Sequence, residues 1–188
     1  DSKYQRLLLF AGVSVYDSVN DGMWLGTNDG LFFYDFKRQQ IIEPFKGSLN
    51  VRGCIGSLIT PQGKLLMGCV QGMVEVDLKS RPHGKGDFAV KYHQYKLDDP
   101  KSGVIDKILS FCLAKNGKIW LGSNGYGLYC YNYDKDGKTH VKSFTTNNGL
   151  ANNTVKGIVE DNQGMLWIAT DNGLSVFNPK TETFSSFY

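Results

Sequence analysis

The chain has 188 residues, with 21 Lys and Arg against 18 Asp and Glu, and a formal net charge of +3. This length allows one domain with a sizeable core, and so small a net charge gives no support to a nucleic-acid partner. No apolar run reaches the ~18 residues that a membrane-spanning helix requires. Glycine is enriched, at 22 residues against a usual share of about 7 per cent, which favours short strands joined by tight turns.

One motif of glycine turns and short apolar runs occurs four times along the chain. The copies align on Trp24, Leu66, Trp120 and Trp167, which lie 42, 54 and 47 residues apart. Periods of this length predict a propeller or a solenoid, and no copy shows the 3.6-residue spacing of a helical solenoid. We therefore predict an all-β fold of four four-stranded antiparallel blades, as an arc or fragment of a larger propeller of the seven-bladed type.

The predicted elements follow in chain order. They are an outer strand of a preceding blade at 1–11 and blades at 12–46, 49–97, 103–145 and 150–188. The fourth blade has the clearest turns, because "DNQG", "DNG" and "NPKTE" place glycine, Asn and Pro where tight turns need them. Its predicted strands are 154–160, 165–170, 174–177 and 183–188.

Each copy pairs a bulky residue with a small one two positions later. The small residues are Gly26, Gly68, Gly122 and Ala169. This pattern predicts that the bulky side chain packs between neighbouring sheets. In the first strand, Gly56, Ser110 and Gly157 align at a second small position, but the first copy is a residue short and has no assigned residue there.

The four cysteines and one basic cluster are interpreted as structural. Cys54, Cys69, Cys112 and Cys130 each lie in an apolar run predicted to be a strand, without the spacing of a zinc site, so we expect buried thiols, with a disulfide framework as the alternative. The basic stretch Lys79–Gly86 is interpreted as a solvated loop rather than a phosphate-binding patch. No metal site is predicted.

The fourth copy resembles the two-component regulator propeller repeat over residues 147–187. Residues that match its pattern are Gly149, Leu150, Asn153, Val155, Ile158, Asp161, Gly164, Leu166, Trp167, Ile168, Thr170, Gly173 and Leu174. Ala169 replaces the usual glycine, and the second copy reads "LLMGC" without the tryptophan. The other copies follow the pattern less closely.

The resemblance implies a periplasmic sensor segment of a Bacteroides-type hybrid two-component protein. In that family two propellers and an immunoglobulin-like module lead through the membrane to a histidine kinase, and the usual input is an oligosaccharide. It therefore implies an oligosaccharide ligand, neighbouring propeller and immunoglobulin-like domains in the same chain, and a homodimer, with no cofactor. Phosphotransfer is expected of the rest of the protein, since His83, His93 and His140 have no helical phosphoacceptor context.

A candidate ligand face follows from propeller geometry. Loops that enter the first strand and loops that join the second strand to the third lie on one side of a propeller, and they carry amides, carboxylates and one aromatic suited to sugar hydroxyls and ring faces. Tyr126 stands out as a one-residue insertion. The candidates are Tyr126, Asn124, Asn28, Asp29, Asp171, Asn172, Asn152 and Asn153.

Two alternatives to a sensor remain open. One is a propeller enzyme of the streptogramin-lyase type, although the sequence offers no convergent acid and base set and no catalytic residue is assigned. The other is a structural arc that supports dimerisation without touching a ligand.

Overall fold

The computed structural model describes residues 11–28, 30–44, 51, 53–69, 72–81, 87–93, 107–134 and 139–188. Regular structure within these ranges consists of sixteen β-strands and one 3-10 turn at Thr146–Asn148, with no α-helix. None of the described residues belongs to a helix with the length and hydropathy needed to cross a membrane. The predicted all-β fold class is confirmed.

The strands form four sheets, which we number in chain order. Sheet 1 contains β1 (Ala11–Asp17), β2 (Gly22–Thr27), β3 (Leu31–Asp35) and β4 (Gln40–Ile42). Sheet 2 contains β5 (Gly56–Ile59), β6 (Lys64–Cys69), β7 (Gly72–Asp77) and β8 (Ala89–His93). Sheet 3 contains β9 (Ile108–Leu113), β10 (Ile119–Ser123), β11 (Leu128–Tyr133) and β12 (Thr139–Phe144). Sheet 4 contains β13 (Val155–Glu160), β14 (Leu166–Thr170), β15 (Gly173–Asn178) and β16 (Thr183–Phe187).

Within each sheet the strands neighbour one another in chain order, and each neighbouring pair is antiparallel. Four antiparallel strands in this order form the meander of a propeller blade, so the predicted four-stranded blades are confirmed. The chain divides into two compact units, residues 1–94 with sheets 1 and 2 and residues 95–188 with sheets 3 and 4. The predicted outer strand at 1–11 lies outside the described residues except for Ala11, and the predicted blade limits stay predictions.

Turn residues fix where the strands end. Gly63, Gly117 and Gly164 occupy the same place in the first hairpin of sheets 2, 3 and 4, with φ of +82°, +82° and +81°, a conformation that side chains with a Cβ rarely adopt. At the end of the third strand, the Asn178 Oδ1 atom accepts the Lys180 backbone N–H at 3.0 Å. Asp35 likewise accepts a backbone N–H, that of Arg38, at 2.9 Å, so both side chains start the turn that follows the third strand.

The core of the first unit joins sheets 1 and 2 through aromatic rings. Trp24 and Phe33 belong to sheet 1, and Phe88 immediately precedes β8 of sheet 2. The Trp24 ring centroid lies 5.0 Å from that of Phe33 and 4.6 Å from that of Phe88, and all three residues are buried. The predicted packing of the bulky residue between neighbouring sheets is therefore confirmed here.

The second unit repeats this arrangement between sheets 3 and 4. The Trp120 ring of sheet 3 lies 5.5 Å from the Phe177 ring of sheet 4, and Phe177 also contacts Phe144 at 4.8 Å and Phe184 at 4.4 Å. The equivalent tryptophan of sheet 4, Trp167, is 43% exposed. The predicted packing of the bulky residue between two sheets is thus wrong at this last position in the described part of the chain, where the Trp167 ring remains partly exposed.

The small residues allow close approach of the neighbouring sheet. A Cβ built on Gly122 would lie 2.5 Å from the Val155 Cγ1 atom of sheet 4 and would also collide with the Ser110 hydroxyl. The register pairs Ser110 with Gly122 and Gly157 with Ala169, so the two small positions face each other across the first two strands. In sheet 1 the partner of Gly26 is Val13, which fills the position that the sequence left unassigned.

Two interpretations need correction. Arg81, from the basic stretch expected to be a solvated loop, is only 5% exposed, and its guanidinium lies 5.0 Å from the centre of the Phe88 ring and 3.8 Å from the Asp35 carboxylate. Burial lowers the pKa of Arg81. Residues 82–86 of that stretch lie outside the described residues.

Cys54 precedes β5 rather than lying in a strand. All four cysteines are free thiols in the structure, with Cys112 half-buried and the other three buried.

Candidate ligand-binding loops

Six of the predicted site residues lie at one end of sheets 3 and 4. Their positions follow from the strand bounds: some follow the second strand of a sheet and others precede the first strand of sheet 4. They are Asn124 and Tyr126 after β10, Asn152 and Asn153 before β13, and Asp171 and Asn172 after β14.

Backbone hydrogen bonds join these loops into one surface. The Gly125 and Gly127 N–H groups of the β10–β11 loop both donate to the Asn153 carbonyl, at 3.2 and 2.7 Å. The Asp171 N–H donates to the Thr154 carbonyl at 3.1 Å. The loop that carries Tyr126 is therefore held against the entry loop of the next sheet, and the β14–β15 turn is held beside it.

The inserted residue Tyr126 is half-buried, and Asn124 beside it is exposed. The Tyr126 N–H donates to the buried Ser123 hydroxyl at 3.1 Å, and the Asn124 N–H donates to the Lys107 carbonyl at 3.0 Å. The loop backbone is thus fixed at both ends by hydrogen bonds. The Asn124 side chain makes no hydrogen bond within the described part of the chain and can meet a ligand.

The side chains of Asn152 and Asn153 support the loop itself. The Asn152 Oδ1 atom accepts the Thr154 N–H at 2.8 Å, which forms an Asx turn. The Asn153 Oδ1 atom accepts the Thr146 N–H at 2.9 Å. Their amide oxygens therefore stabilise the entry loop, and only their amide N–H groups, which bond to no described residue, are available for a ligand.

A lysine that the sequence analysis did not single out belongs to the same surface. The register of β13 shifts between Val155 and Gly157, which leaves Lys156 as the extra residue of a β-bulge, and bulges often re-aim side chains beside functional sites. The exposed Lys156 ammonium forms an ion pair with the Asp171 carboxylate. Equivalent register shifts occur in β1 and β9. The sequence did not predict these bulges, because a three-residue run such as "VKG" carries no local signal of one.

The two remaining candidates belong to the first unit. Asn28 is exposed and follows β2. Asp29 lies outside the described residues. The structure therefore brings together the six candidates of the second unit. Of the two candidates in the first unit, it describes only Asn28.

Two histidines on outer strands, away from these loops, pair with carboxylates. The His93 Nε2 atom lies 2.9 Å from the Glu75 carboxylate, and the His140 Nε2 atom lies 2.8 Å from the Asp134 carboxylate. His83 lies outside the described residues. Among the residues that the structure describes, no group of three His, Cys, Asp or Glu side chains is placed to hold a metal ion.

Comparison with known families and structures identifies the repeat. Residues 149–172, which include the β13–β14 hairpin and both of its entry asparagines, match the model of the two-component regulator propeller family. This part of the fourth repeat is similar to the two-component regulator propeller repeat. Curated proteins give no match to the sequence.

Solved structures extend the likeness of this regulator propeller repeat to nearly the whole chain. The extracellular domain of the hybrid two-component system BT4673 from B. thetaiotaomicron is 26% identical, with a TM-score of 0.69 over 95% of this chain and 21% of that one. That of the hybrid two-component system BT3049 from the same organism is 20% identical, with a TM-score of 0.66 over 93% of this chain and 22% of that one. The chain thus spans about a fifth of the length of these relatives.

A streptogramin B lyase structure shares the propeller fold alone. It is 14% identical to the chain, with a TM-score of 0.60, and the match covers 95% of this chain and 55% of the lyase. An identity this low carries no information about catalysis. The lyase therefore supports the fold and gives no evidence for or against the enzymatic alternative.

Proposed function

We propose that this chain is a non-catalytic segment of the extracytoplasmic sensor of a hybrid two-component signalling protein. The observation that carries the proposal is the regulator propeller repeat at 149–172 together with 26% identity to the BT4673 extracellular domain over 95% of the chain. Both of the hybrid two-component matches are extracellular domains, which supports a periplasmic location and a role in detection. Phosphotransfer then belongs to a histidine kinase elsewhere in the protein.

We further propose that the ligand is an oligosaccharide and that it binds the loop surface of sheets 3 and 4. This surface offers hydrogen-bond donors and acceptors in Asn124, Asn172 and the Lys156–Asp171 ion pair, and its loops also carry the half-buried Tyr126. Sugars need this combination, because their hydroxyls both donate and accept and their ring faces stack on aromatics. Binding here is proposed to act through neighbouring propeller and immunoglobulin-like domains of a homodimer on kinase and transcriptional output.

The test uses the full-length protein in membrane vesicles with radiolabelled ATP and oligosaccharides released from xylan, arabinan, mannan and galactan. We expect one oligosaccharide class to change the rate of phosphate incorporation. The Tyr126→Ala variant should lose that response while it retains its basal phosphate incorporation. Tyr16→Ala is the matched control, because Tyr16 is an exposed tyrosine of sheet 1 far in sequence from these loops.

Each outcome addresses a different part of the proposal. A protein that incorporates no phosphate would contradict the signalling role. Phosphate incorporation that no oligosaccharide changes would contradict glycan detection, and a response that Tyr126→Ala leaves intact would remove Tyr126 from the binding surface. Turnover of any oligosaccharide by the protein would overturn the non-catalytic assignment in favour of a propeller enzyme.

A further inference from the structure

Two of the three tryptophans make the same kind of hydrogen bond, from the indole N–H to an aspartate. The Trp24 Nε1–H donates to the Asp17 Oδ2 atom at 3.1 Å, and the Trp167 Nε1–H donates to the Asp161 Oδ2 atom at 2.9 Å. In both sheets the tryptophan on the second strand pairs with a residue on the first strand. The aspartate lies two residues after that partner. The carboxylate and the indole are therefore one structural unit of the repeat.

Sheet 3 keeps the indole and lacks the carboxylate. Trp120 pairs with Cys112, and the residue two positions beyond is Ala114. The backbone of the turn is unchanged, because the Ala114 N–H donates to the Lys118 carbonyl at 2.9 Å as the Asp161 N–H donates to the Met165 carbonyl at 2.9 Å. Only the acceptor has been removed.

The consequence is a buried donor without an acceptor. Trp120 is 2% exposed, and its Nε1 atom has no hydrogen-bond partner among the described residues. Buried donors in folded proteins are almost always satisfied, because leaving one unpaired costs its full desolvation. An acceptor from outside the chain would remove this cost.

Trp120 also lines a cavity of about 210 Å³ between sheets 3 and 4. Other residues at its wall include Lys118, His140, Lys142, Phe144 and Glu182. The volume corresponds to about seven water molecules, which suits a small organic molecule. Lys118 precedes β10, whereas the proposed sugar-binding loop follows it, and none of the proposed sugar-binding residues lines this cavity.

The charged groups at the cavity leave one cation without a partner. Lys142 is bound to Glu182, with the Nζ atom 2.6 Å from the Oε1 atom, and His140 is paired with Asp134 at 2.8 Å. Lys118 forms no ion pair with any described residue. An ammonium without an ion-pair partner and apolar ring surface therefore line the same small space, and Trp120 at its wall carries a buried, unpaired indole N–H.

We propose that this cavity binds a small organic carboxylate, whose oxygens accept from the Trp120 indole and the Lys118 ammonium. The ligand supplies the acceptor that Asp17 and Asp161 provide in the other sheets, and its apolar part packs beside Phe144. The indole nitrogen is shielded from solvent in this structure, so the ligand reaches it when a side chain at the wall turns aside. Lys142 and Glu182, which are 58% and 47% exposed, can do so because a surface ion pair is weak.

The test is a titration of the ¹⁵N-labelled 188-residue chain with butyrate, monitored by NMR through the indole N–H signals of its three tryptophans. We expect the Trp120 indole proton to shift downfield and to saturate at millimolar butyrate, while the Trp24 and Trp167 signals stay in place. Butyramide is the neutral control and should leave all three signals unchanged.

Two variants separate a built site from a passive cavity. Ala114→Asp supplies an internal acceptor on the same turn, so it should move the Trp120 indole signal without ligand, raise the thermal stability and abolish the butyrate response. Lys118→Met should weaken butyrate binding by about ten-fold, the effect of one charge-assisted hydrogen bond. Lys156→Met, at the other end of sheet 4, should bind butyrate like the original chain.

Three results would overturn the proposal. One is a Trp120 signal that does not move at any butyrate concentration, which would assign the cavity to water. Another is an equal response to butyramide, which would exclude the carboxylate. The third is unchanged butyrate affinity in both Ala114→Asp and Lys118→Met. The wild-type titration and Lys118→Met decide the matter even if Ala114→Asp does not fold, and none of these results bears on the sugar-binding loops.

Discussion

The packing of Phe177 makes the strongest prediction about stability. This residue of sheet 4 is fully buried, and its ring contacts Trp120 and Phe144 of sheet 3 as well as Phe184 of its own sheet. Phe177→Ala removes the ring that joins the two sheets and leaves a cavity. We expect the free energy of unfolding to fall by about 3–5 kcal/mol, the usual cost of truncating a buried phenylalanine.

The cost should lie at the upper end of that range. Three aromatic contacts with centroids 4.4 to 5.5 Å apart are lost together, and each such pair contributes roughly 0.5–1.5 kcal/mol beyond its buried area. Folded domains have a total stability of about 5–15 kcal/mol. The second unit should therefore be left close to the limit of stability.

The measurement is urea denaturation followed by tryptophan fluorescence, with Trp120 as a direct neighbour of the altered site. Phe187→Ala is the matched control, because Phe187 belongs to the same sheet and is 58% exposed, so its loss should change stability by no more than about 0.5 kcal/mol. A Phe177→Ala cost below about 1 kcal/mol, or one equal to that of Phe187→Ala, would refute the assigned packing between sheets 3 and 4.

Three further predictions concern close approach, thiols and pH. Gly122→Ala should cost about 1–3 kcal/mol by overpacking against sheet 4, whereas Gly157→Ala, whose new Cβ meets only the Ala169 methyl at 3.8 Å, should be nearly neutral in the same denaturation assay. Refolding with oxidised glutathione should form a disulfide between Cys54 and Cys69, whose sulfurs lie 3.5 Å apart, by exchange that releases two reduced glutathiones. Mass spectrometry should show the loss of two hydrogens, and the free energy of unfolding should rise by about 3 kcal/mol. The indole N–H bound to Asp161 lowers the pKa of this carboxyl below its ordinary 3.8. The carboxylate therefore contributes stability above pH 3.8, and this contribution is lost as the pH falls through the lowered pKa. The stability difference between the original chain and Asp161→Asn should vanish in acid, and a difference that persists there would exclude the carboxylate as its source.

Local patterns were sufficient to predict the blades. Hairpin turns such as Asp161–Gly164 are set by a few adjacent residues, because a positive φ requires glycine and an Asx side chain starts a turn. The strand bounds of the fourth repeat follow within a residue or two from these turns. Four-stranded meanders therefore needed no information from distant parts of the chain.

Features that depend on residues far apart in sequence could not be predicted. Arg81 is buried because Asp35 and Phe88 come together around it in the folded first unit, and nothing in its own stretch distinguishes it from solvated Lys79. The bulge at Lys156 depends on the register with β14. Among the site residues, the loop positions were predictable from turn chemistry, whereas the contacts of Tyr126 and Asn153 depend on how one sheet packs on the next.

The pairing of aspartate with tryptophan shows why sheet 3 is the unusual member of the repeat. In sheet 2 the position of the aspartate is Thr60, and that of the tryptophan is Leu66. The Thr60 hydroxyl still accepts the Lys64 N–H of the turn at 3.2 Å, and leucine has no donor to satisfy, so no cost arises. Sheet 3 retains an indole whose unpaired N–H costs about 1–3 kcal/mol, whereas sheet 2 has leucine at the equivalent position. The unpaired Trp120 N–H is the group that the proposed carboxylate would satisfy.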